Sequence, residues 1–348
     1  MLLKKSGGHP LDLIIPHSAS TPRPIRYSHA LDASAHTSRI RRFLFDLGRG
    51  GKDVKHIVRI FSKPAPNLTH LQLNAHLILY PGVKPFPDLF GLEFPNLGVL
   101  EVVEIEAWPK IVGANLTHIT IRVSLNPWTL KDCIQHSPNL KALKIQDILN
   151  FDSPNFGGWE RIALAPGVCL TIRRTHIFFH ILALFKLPHD GHIRISPHPI
   201  QTPKMSLLSH VLPADTSHLQ NLRMLTRLHM KTRIDVWVAL ELKCCRLDQP
   251  ALEVDVEYSF ENQTVVQQKA SPVMWFLSNL NRVTLRGVEE LRMDGFVGRL
   301  EPQAAELRAF LTRMPALTRV ITTNSNEETL RSALDSLGYR AVVVRVEE

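Results

Sequence analysis

The stretch DLGRGGKDV, residues 46–54, sets Gly51-Lys52 between an expected strand and an expected helix. That is the setting of a phosphate-binding loop, whose backbone N–H groups cradle the anion. The pattern also needs a glycine five residues before Gly51 and a Ser or Thr hydroxyl after the lysine. Asp46 and Asp53 hold those positions, and a carboxylate in place of the hydroxyl repels the phosphate. The stretch is read as a glycine-rich turn. A second candidate, HDGHIRISPHP, offers His189, His192 and His198 with Asp190 beside them. Alternation along a strand brings two of these to one face, yet Pro188, Pro197 and Pro199 break the geometry and no H-E-x-x-H helix is present. They are read as strand-flanking histidines.

The four cysteines, Cys133, Cys169, Cys244 and Cys245, form no C-x-x-C pair and no disulfide framework. Reduced thiols are the simplest reading. Cys133 belongs to an apolar helical stripe, and the neighbours Cys244 and Cys245 point apart. Nucleophile elbows of the G-x-S-x-G kind and defensible carboxylate pairs are absent. No catalytic, cofactor-binding or metal-binding residues are therefore expected, and the chain is not expected to be an enzyme.

A composition that is 44% hydrophobic and 21% charged describes a folded chain, because it supplies enough apolar surface to offset chain entropy. The longest apolar run, HIFFHILALFKL at 176–187, is about half the length of a membrane span and carries two histidines. MLLKKSGGHP is a poor secretory signal, since Gly-Gly-His-Pro interrupts the apolar stretch. A cytoplasmic or nuclear protein with no membrane partner is expected, so the N-x-T sequons at Asn67, Asn115 and Asn262 carry no glycosylation chemistry. The net charge of +9 is uneven: residues 1–65 hold twelve Lys/Arg against four Asp/Glu. A basic segment of that kind suits nucleic acid or another anionic surface. It lacks the aromatic interleaving that stacks bases, with Phe43, Phe45 and Phe61 in core positions and Tyr27 alone. Nucleic-acid binding through 1–65 is thus the alternative reading.

The strongest signal is repetition. APNLTHLQLNAH (65–76), FPNLGVLEVVEI (94–105), ANLTHITIRV (114–123) and SPNLKALKIQDI (137–148) are variants of one string. Their asparagines, at 67, 96, 115 and 139, are spaced by 29, 19 and 24 residues. An L-x-x-L-x-L core at such a period is that of leucine-rich repeats, each unit a short strand followed by a helix or an irregular return. In NLTHLQL the strand period turns Leu68, Leu71 and Leu73 inward and His70 and Gln72 outward. One strand cannot bury that face alone, so neighbours must stack.

Helical spacing lies between the strands. Val54, Ile57, Val58 and Phe61 form one stripe, and Leu130, Cys133 and Ile134 another, with Thr129 read as the helix cap. Leu307, Phe310, Leu311 and Met314 form a third, with Pro302 at its start. Leu330, Ala333, Leu334 and Leu337 form the last, closed by Gly338. Further strands are expected at 11–15, 43–47, 168–172, 192–196 and 225–230, and at 252–256, 289–293, 317–322 and 341–346. Strand–helix–strand order implies right-handed crossovers and a parallel sheet. The fold class is α/β: one degenerate leucine-rich-repeat solenoid over 1–348, with a curved parallel sheet and helices or irregular returns on its convex side. The repeats fit best over 42–150 and most loosely over 200–270.

The ordered strings resemble the F-box/leucine-rich-repeat-like proteins of mushroom-forming fungi. LKKSGGHPLDLII is similar to the segment after their F-box, and RIRRFLFDL and PAPNLTHLQL to the next stretch. FPNLGVLEV, TLKDCIQHSPNLKALKI and ILALFKLP…HIRI continue the likeness in order. The resemblance implies the repeat region with which a substrate receptor of a cullin-RING ubiquitin ligase holds its target. No Leu-Pro-x-Glu-Ile-like string precedes Lys4, so docking on the ligase adaptor is expected only if an F-box is encoded ahead of Met1. The expected function is a protein-interaction scaffold. Its partner face is the concave side of the strands: His70, Gln72 and Asn74 on one strand, Glu101 on the next, then His118, Thr120 and Arg122, and finally Lys144 and Gln146.

Overall fold

The computed structural model of the chain describes residues 8–15, 35–46, 63–74, 90, 94–103, 115–151, 154, 158–175, 177–196, 212–234, 237–259, 280, 283–294, 304–322 and 327–345. The expected helix over 54–61, the glycine-rich turn after Asp46, His198, Asn262 and Pro302 lie outside them. The chain divides into two compact units, Met1–Ala165 and Pro166–Glu348. Both are α/β, dominated by a largely parallel sheet with few helices.

Unit 1 contains β1 (Leu11–Ile15), β2 (Ile40–Asp46), β3 (His70–Asn74), β4 (Val99–Val103) and β5 (His118–Leu125). Helix α1 (Pro127–Gln135), β6 (Ala142–Phe151) and the short β7 (Ile162–Ala163) come next. Strands β1 to β6 lie side by side in chain order, every pair parallel. Their register aligns the alternating side chains into rows. Phe43, Leu71, Leu100, Ile119 and Leu143 face one another across five strands, each at most 1% exposed. Full burial of each such side chain stabilises by roughly 1.5–3 kcal/mol, and a single strand could not achieve it.

Pro-Asn-Leu makes the corner before β3, β4 and β6. The Leu68 N–H donates to the Ala65 carbonyl, that of Leu97 to Phe94 and that of Leu140 to Ser137, at 3.0–3.2 Å. Proline at the second position of such a turn already has the required φ. Before β3, β4 and β5 an asparagine ties the chain to the corner before it. The side-chain amide of Asn67 donates to the Ser38 carbonyl at 2.6 Å, that of Asn96 to Pro66 at 2.7 Å and that of Asn115 to Pro95 at 3.0 Å. At Asn67 and Asn115 the nitrogens that suggested sequons are rungs between repeats.

Helix α1 starts earlier than expected. Asn126, not Thr129, caps it, its Oδ1 accepting from the N–H groups of Trp128 and Thr129 at 3.0 and 3.1 Å. Pro127 occupies the first helical position, where no N–H is missed. Pro127, Leu130, Cys133 and Ile134 are its buried face.

Unit 2 contains β8 (Cys169–Arg173), α2 (Phe178–Ala183), β9 (Phe185–Lys186), β10 (His192–Ser196), β11 (Arg227–Ile234), β12 (Trp237–Arg246) and β13 (Gln249–Ser259). β14 (Glu290–Asp294), α3 (Ala304–Leu311), β15 (Arg319–Thr322), α4 (Glu327–Ser336) and β16 (Val342–Arg345) complete it. Its strand order is β8-β10-β13-β12-β11-β14-β15-β16. Here the all-parallel expectation fails. β12, not expected from the sequence, is antiparallel to both β11 and β13, while the other pairs are parallel.

The β12–β13 hairpin explains the miss. Its two-residue turn, Leu247-Asp248, has φ of +45° and +67°, the pattern of a type I′ turn, for which Asn-Gly or Asp-Gly is the usual signal. Leucine gives no such signal. Asp248 is instead held by an ion pair with Arg227, and the Leu247 N–H donates to Thr226 Oγ1 at 3.2 Å. The C-terminal stripes are largely buried: Leu307, Phe310, Leu311 and Met314 are, as are Leu330, Ala333 and Leu334, while Leu337 is partly exposed. Gly338, at φ +70°, ends α4 in the left-handed conformation that favours glycine.

Candidate protein-binding face

The side chains that alternate with the buried ones on β3 to β6 form three rows. Gln72, Glu101, Thr120 and Lys144 are register partners across four strands, and all four are partly exposed. A second row holds His70, Val99, His118 and Ala142. The third holds Asn74, Val103, Arg122 and Gln146, and two of its members are buried: Gln146 is 5% and Val103 8% exposed. Gln146 therefore offers little accessible surface, and its Nε2 donates to Asp147 Oδ2 at 3.3 Å. The other eight expected residues are brought together on one face.

The two histidines sit in matching environments. Thr69 Oγ1 lies 2.9 Å from His70 Nδ1 and donates to the Arg41 carbonyl; Thr117 Oγ1 lies 2.9 Å from His118 Nδ1 and donates to the Gly98 carbonyl. With each hydroxyl proton on the carbonyl, the ring donates from Nδ1 and keeps Nε2 as an acceptor. Burial first, then the nearby Arg42 and Arg41, hold His70 below the ordinary histidine value. Arg122 lies 3.8 Å from Glu101 and 3.5 Å from Asp147, so the two acids balance its charge.

Register also extends this face beyond the residues expected. Asp12 and Arg42 continue the row of His70, while Ile14 and Leu44 continue that of Gln72. Ile14 is 63% exposed. Their signal was the alternation of Arg42 and Leu44 with Phe43, hidden because β2 begins three residues before the expected strand. Of the basic segment 1–65, Arg39 donates to the His9 carbonyl and Arg41 pairs with Asp12 at 3.4 Å. Those two cations serve the fold. Among the described residues no group of three metal-ligating side chains is assembled, and no helix is long and apolar enough to cross a membrane.

The polar face of unit 2 is laced with ion pairs. Arg194 reaches Glu253 and Asp255, Arg319 reaches Glu290, and Asp294 accepts from Arg292 Nε at 2.7 Å and lies 2.9 Å from His229 Nε2. Burial holds His192 and His229 low, against the pull of Glu253 and Asp294 respectively, and burial alone holds His180 low. A histidine with a depressed folded-state pKa takes its proton more readily in the unfolded chain. Its stability contribution is whole above the unfolded value, about 6.5, and is lost as pH falls below it. The urea midpoint is expected to fall between about pH 7.5 and 5.5, and less so in His229→Gln. A midpoint that is flat or rising over that window would contradict this assignment.

Comparison with family models, with curated proteins and with solved structures finds no match.

Proposed function

We propose that the chain is a protein-interaction scaffold whose partner binds the polar strand face of unit 1. The observation that carries this reading is the register. Hydrogen-bonding and charged side chains from β3 to β6 stand in rows, with neighbours in a row about 4.8 Å apart, on a backbone braced by the Asn ladder. Side chains held on a rigid sheet lose little freedom on binding, so their contacts contribute to affinity with little ordering cost. The acceptor nitrogens of His70 and His118, the carboxylate of Glu101, the hydroxyl of Thr120 and the amine of Lys144 suit a polar protein surface or an extended peptide.

The repeated corner-and-strand unit supports the finer reading of a degenerate leucine-rich-repeat solenoid with this face on its concave side. The resemblance to F-box/leucine-rich-repeat-like proteins then suggests target capture for a ubiquitin ligase, with adaptor docking only where an F-box is joined to this chain. Cytoplasm or nucleus is the setting that this role needs.

The test immobilises the full chain and a row variant carrying Gln72→Ala, Glu101→Ala, Thr120→Ala and Lys144→Ala, and compares the proteins each enriches from a cell extract. At least one protein is expected to bind the wild type and to lose about tenfold or more on the variant, since the central residues of an interface dominate its energy. The reading fails if the wild type enriches nothing, or if the variant, folded by circular dichroism, keeps the same proteins. Salt-dependent binding of RNA or DNA with no protein partner would favour the basic 1–65 segment instead.

A further inference from the structure

Period-two alternation on three neighbouring strands of unit 2 brings a thiol, an imidazole and a carboxylate together. Cys169 and Thr171 alternate with the buried Leu170 and Ile172 on β8, and His192 and Arg194 with Ile193 and Ile195 on β10. Glu253 lies between Leu252 and Val254 on β13. Cys169 and His192 are direct register partners, and Glu253 is the partner of Arg194. The Cys169 Sγ lies 3.6 Å from His192 Nδ1, within hydrogen-bond reach for sulfur, and 3.7 Å from Thr171 Oγ1. On the far side of the ring, Glu253 Oε2 lies 3.6 Å from His192 Nε2 and 3.6 Å from Arg194 Nε.

The order of these groups is that of nucleophile, base and orienting acid. At 3.6 Å the carboxylate makes no hydrogen bond to Nε2, but its charge favours the tautomer with the proton there. That leaves the Nδ1 lone pair facing the sulfur. Burial holds His192 below the ordinary histidine value of 6.5, so above that pH its Nδ1 lone pair is open to the thiol proton, and Glu253 favours the imidazolium that results. Lys243, the register partner of Glu253 on β12, and Asp255 and Arg194 complete the charged surroundings. Among the described residues Cys169 is the one cysteine with an imidazole at this distance. Burial pushes the Cys133 thiol up to about 12, and raises those of Cys244 and Cys245.

We propose that Cys169, His192 and Glu253 form a base-assisted thiol centre that reacts with small hydroperoxides and is converted to a sulfenic acid. In the step, the thiol proton passes to His192 Nδ1 as sulfur attacks one peroxide oxygen. The O–O bond breaks, and the departing alkoxide or hydroxide takes the proton back from the imidazolium and leaves as alcohol or water. Sulfur is oxidised and the peroxide reduced, with no other reactant. Thr171 is placed to donate its hydroxyl proton to the charge that develops on sulfur. An acyl substrate fits less well. β10 is hydrogen-bonded into ladders on both sides, against β8 and β13, so its backbone has no spare amide pair for an oxyanion. A peroxide needs none, because its leaving oxygen is neutralised by the proton from His192.

The test treats the full chain with hydrogen peroxide in the presence of a 1,3-diketone that traps sulfenic acids, and locates the adducts by peptide mass spectrometry. Cys169 is expected to be labelled about tenfold faster than the half-buried Cys245, and His192→Gln to remove that advantage while Cys245 is unchanged. Equal labelling of the two cysteines, or a Cys169 rate indifferent to His192→Gln, overturns the proposal. Should His192→Gln unfold the chain, Glu253→Gln decides it: a folded variant whose Cys169 is labelled as fast as in the wild type rejects the assembled centre.

Discussion

Leu100→Ala is expected to destabilise unit 1 by about 3–5 kcal/mol, the upper part of the range for deleting a buried leucine side chain. The size follows from position. Leu100 is fully buried on β4, with Leu71 on one side and Ile119 on the other as direct register partners. Both neighbours belong to strands that are themselves paired on both edges, so the backbone cannot close over the space left behind. The cavity cost therefore adds to the lost transfer energy instead of relaxing away. For a unit of this size the midpoint of thermal unfolding is expected to fall by roughly 10 °C. Gln72→Ala is the control. Gln72 lies on the adjoining strand but on the opposite face, partly exposed, and its loss is expected to change stability by less than about 0.5 kcal/mol. Urea unfolding of the two variants measures the contrast. Comparable effects would mean that the two faces do not differ in burial as described.

Arg313→Ala is expected to cost unit 2 about 2–4 kcal/mol. Its guanidinium donates from one nitrogen to the carbonyls of Leu280 and Val283, each at 2.8 Å. Those carbonyls flank the corner closed by the Val283 N–H on the Leu280 carbonyl, and Arg313 directly precedes the corner closed by Leu317 N–H on Met314. It thus does in unit 2 what the Asn ladder does in unit 1, holding one corner against the next across 30 and 33 residues of chain. Hydrogen bonds from a charged donor are worth more than neutral ones. The desolvation that lowers the Arg313 pKa shows that the group is partly withdrawn from water. Removing it leaves two carbonyls without this donor. A urea-unfolding loss near that of an exposed arginine, such as Arg331→Ala at its surface pair with Glu327, would show that water replaces it at no cost.

Much of the strand ladder was legible because two constraints agree in it. Leu71 and Leu73 alternate with His70 and Gln72, and Pro-Asn-Leu marks the corner before them, so periodicity and turn chemistry point to the same strand. The strands at 11–15 and 192–196 fall where their alternation puts them. The segment 237–246 also alternates, with Val238, Leu240, Leu242 and Cys244 in one phase, but the corner after it carries Leu247-Asp248 where an Asn-Gly would have announced a hairpin. One local cue without the other left the antiparallel pair unseen.

The candidate face was legible strand by strand and incomplete in extent. Period two tells which residues point away from the core, and it does so correctly for His70, Gln72, Glu101 and Thr120. It does not tell which outward positions are later covered, as Gln146 is, nor that Asp12 and Arg42 join the row of His70. The thiol centre is the sharper case. Cys169, His192 and Glu253 are separated by 23 and 61 residues of chain, and each alone reads as an ordinary outward residue of a strand.

Local chemistry thus settled which residues turn inward, where most strands begin, and that an α/β ladder must form, because these depend on side-chain period and corner preference within a few residues. Strand order, the reversal at β12 and the meeting of distant side chains belonged to the tertiary structure. They depend on which strand pairs with which and in what register, and that choice is made by burial summed across neighbours that are far apart in the chain.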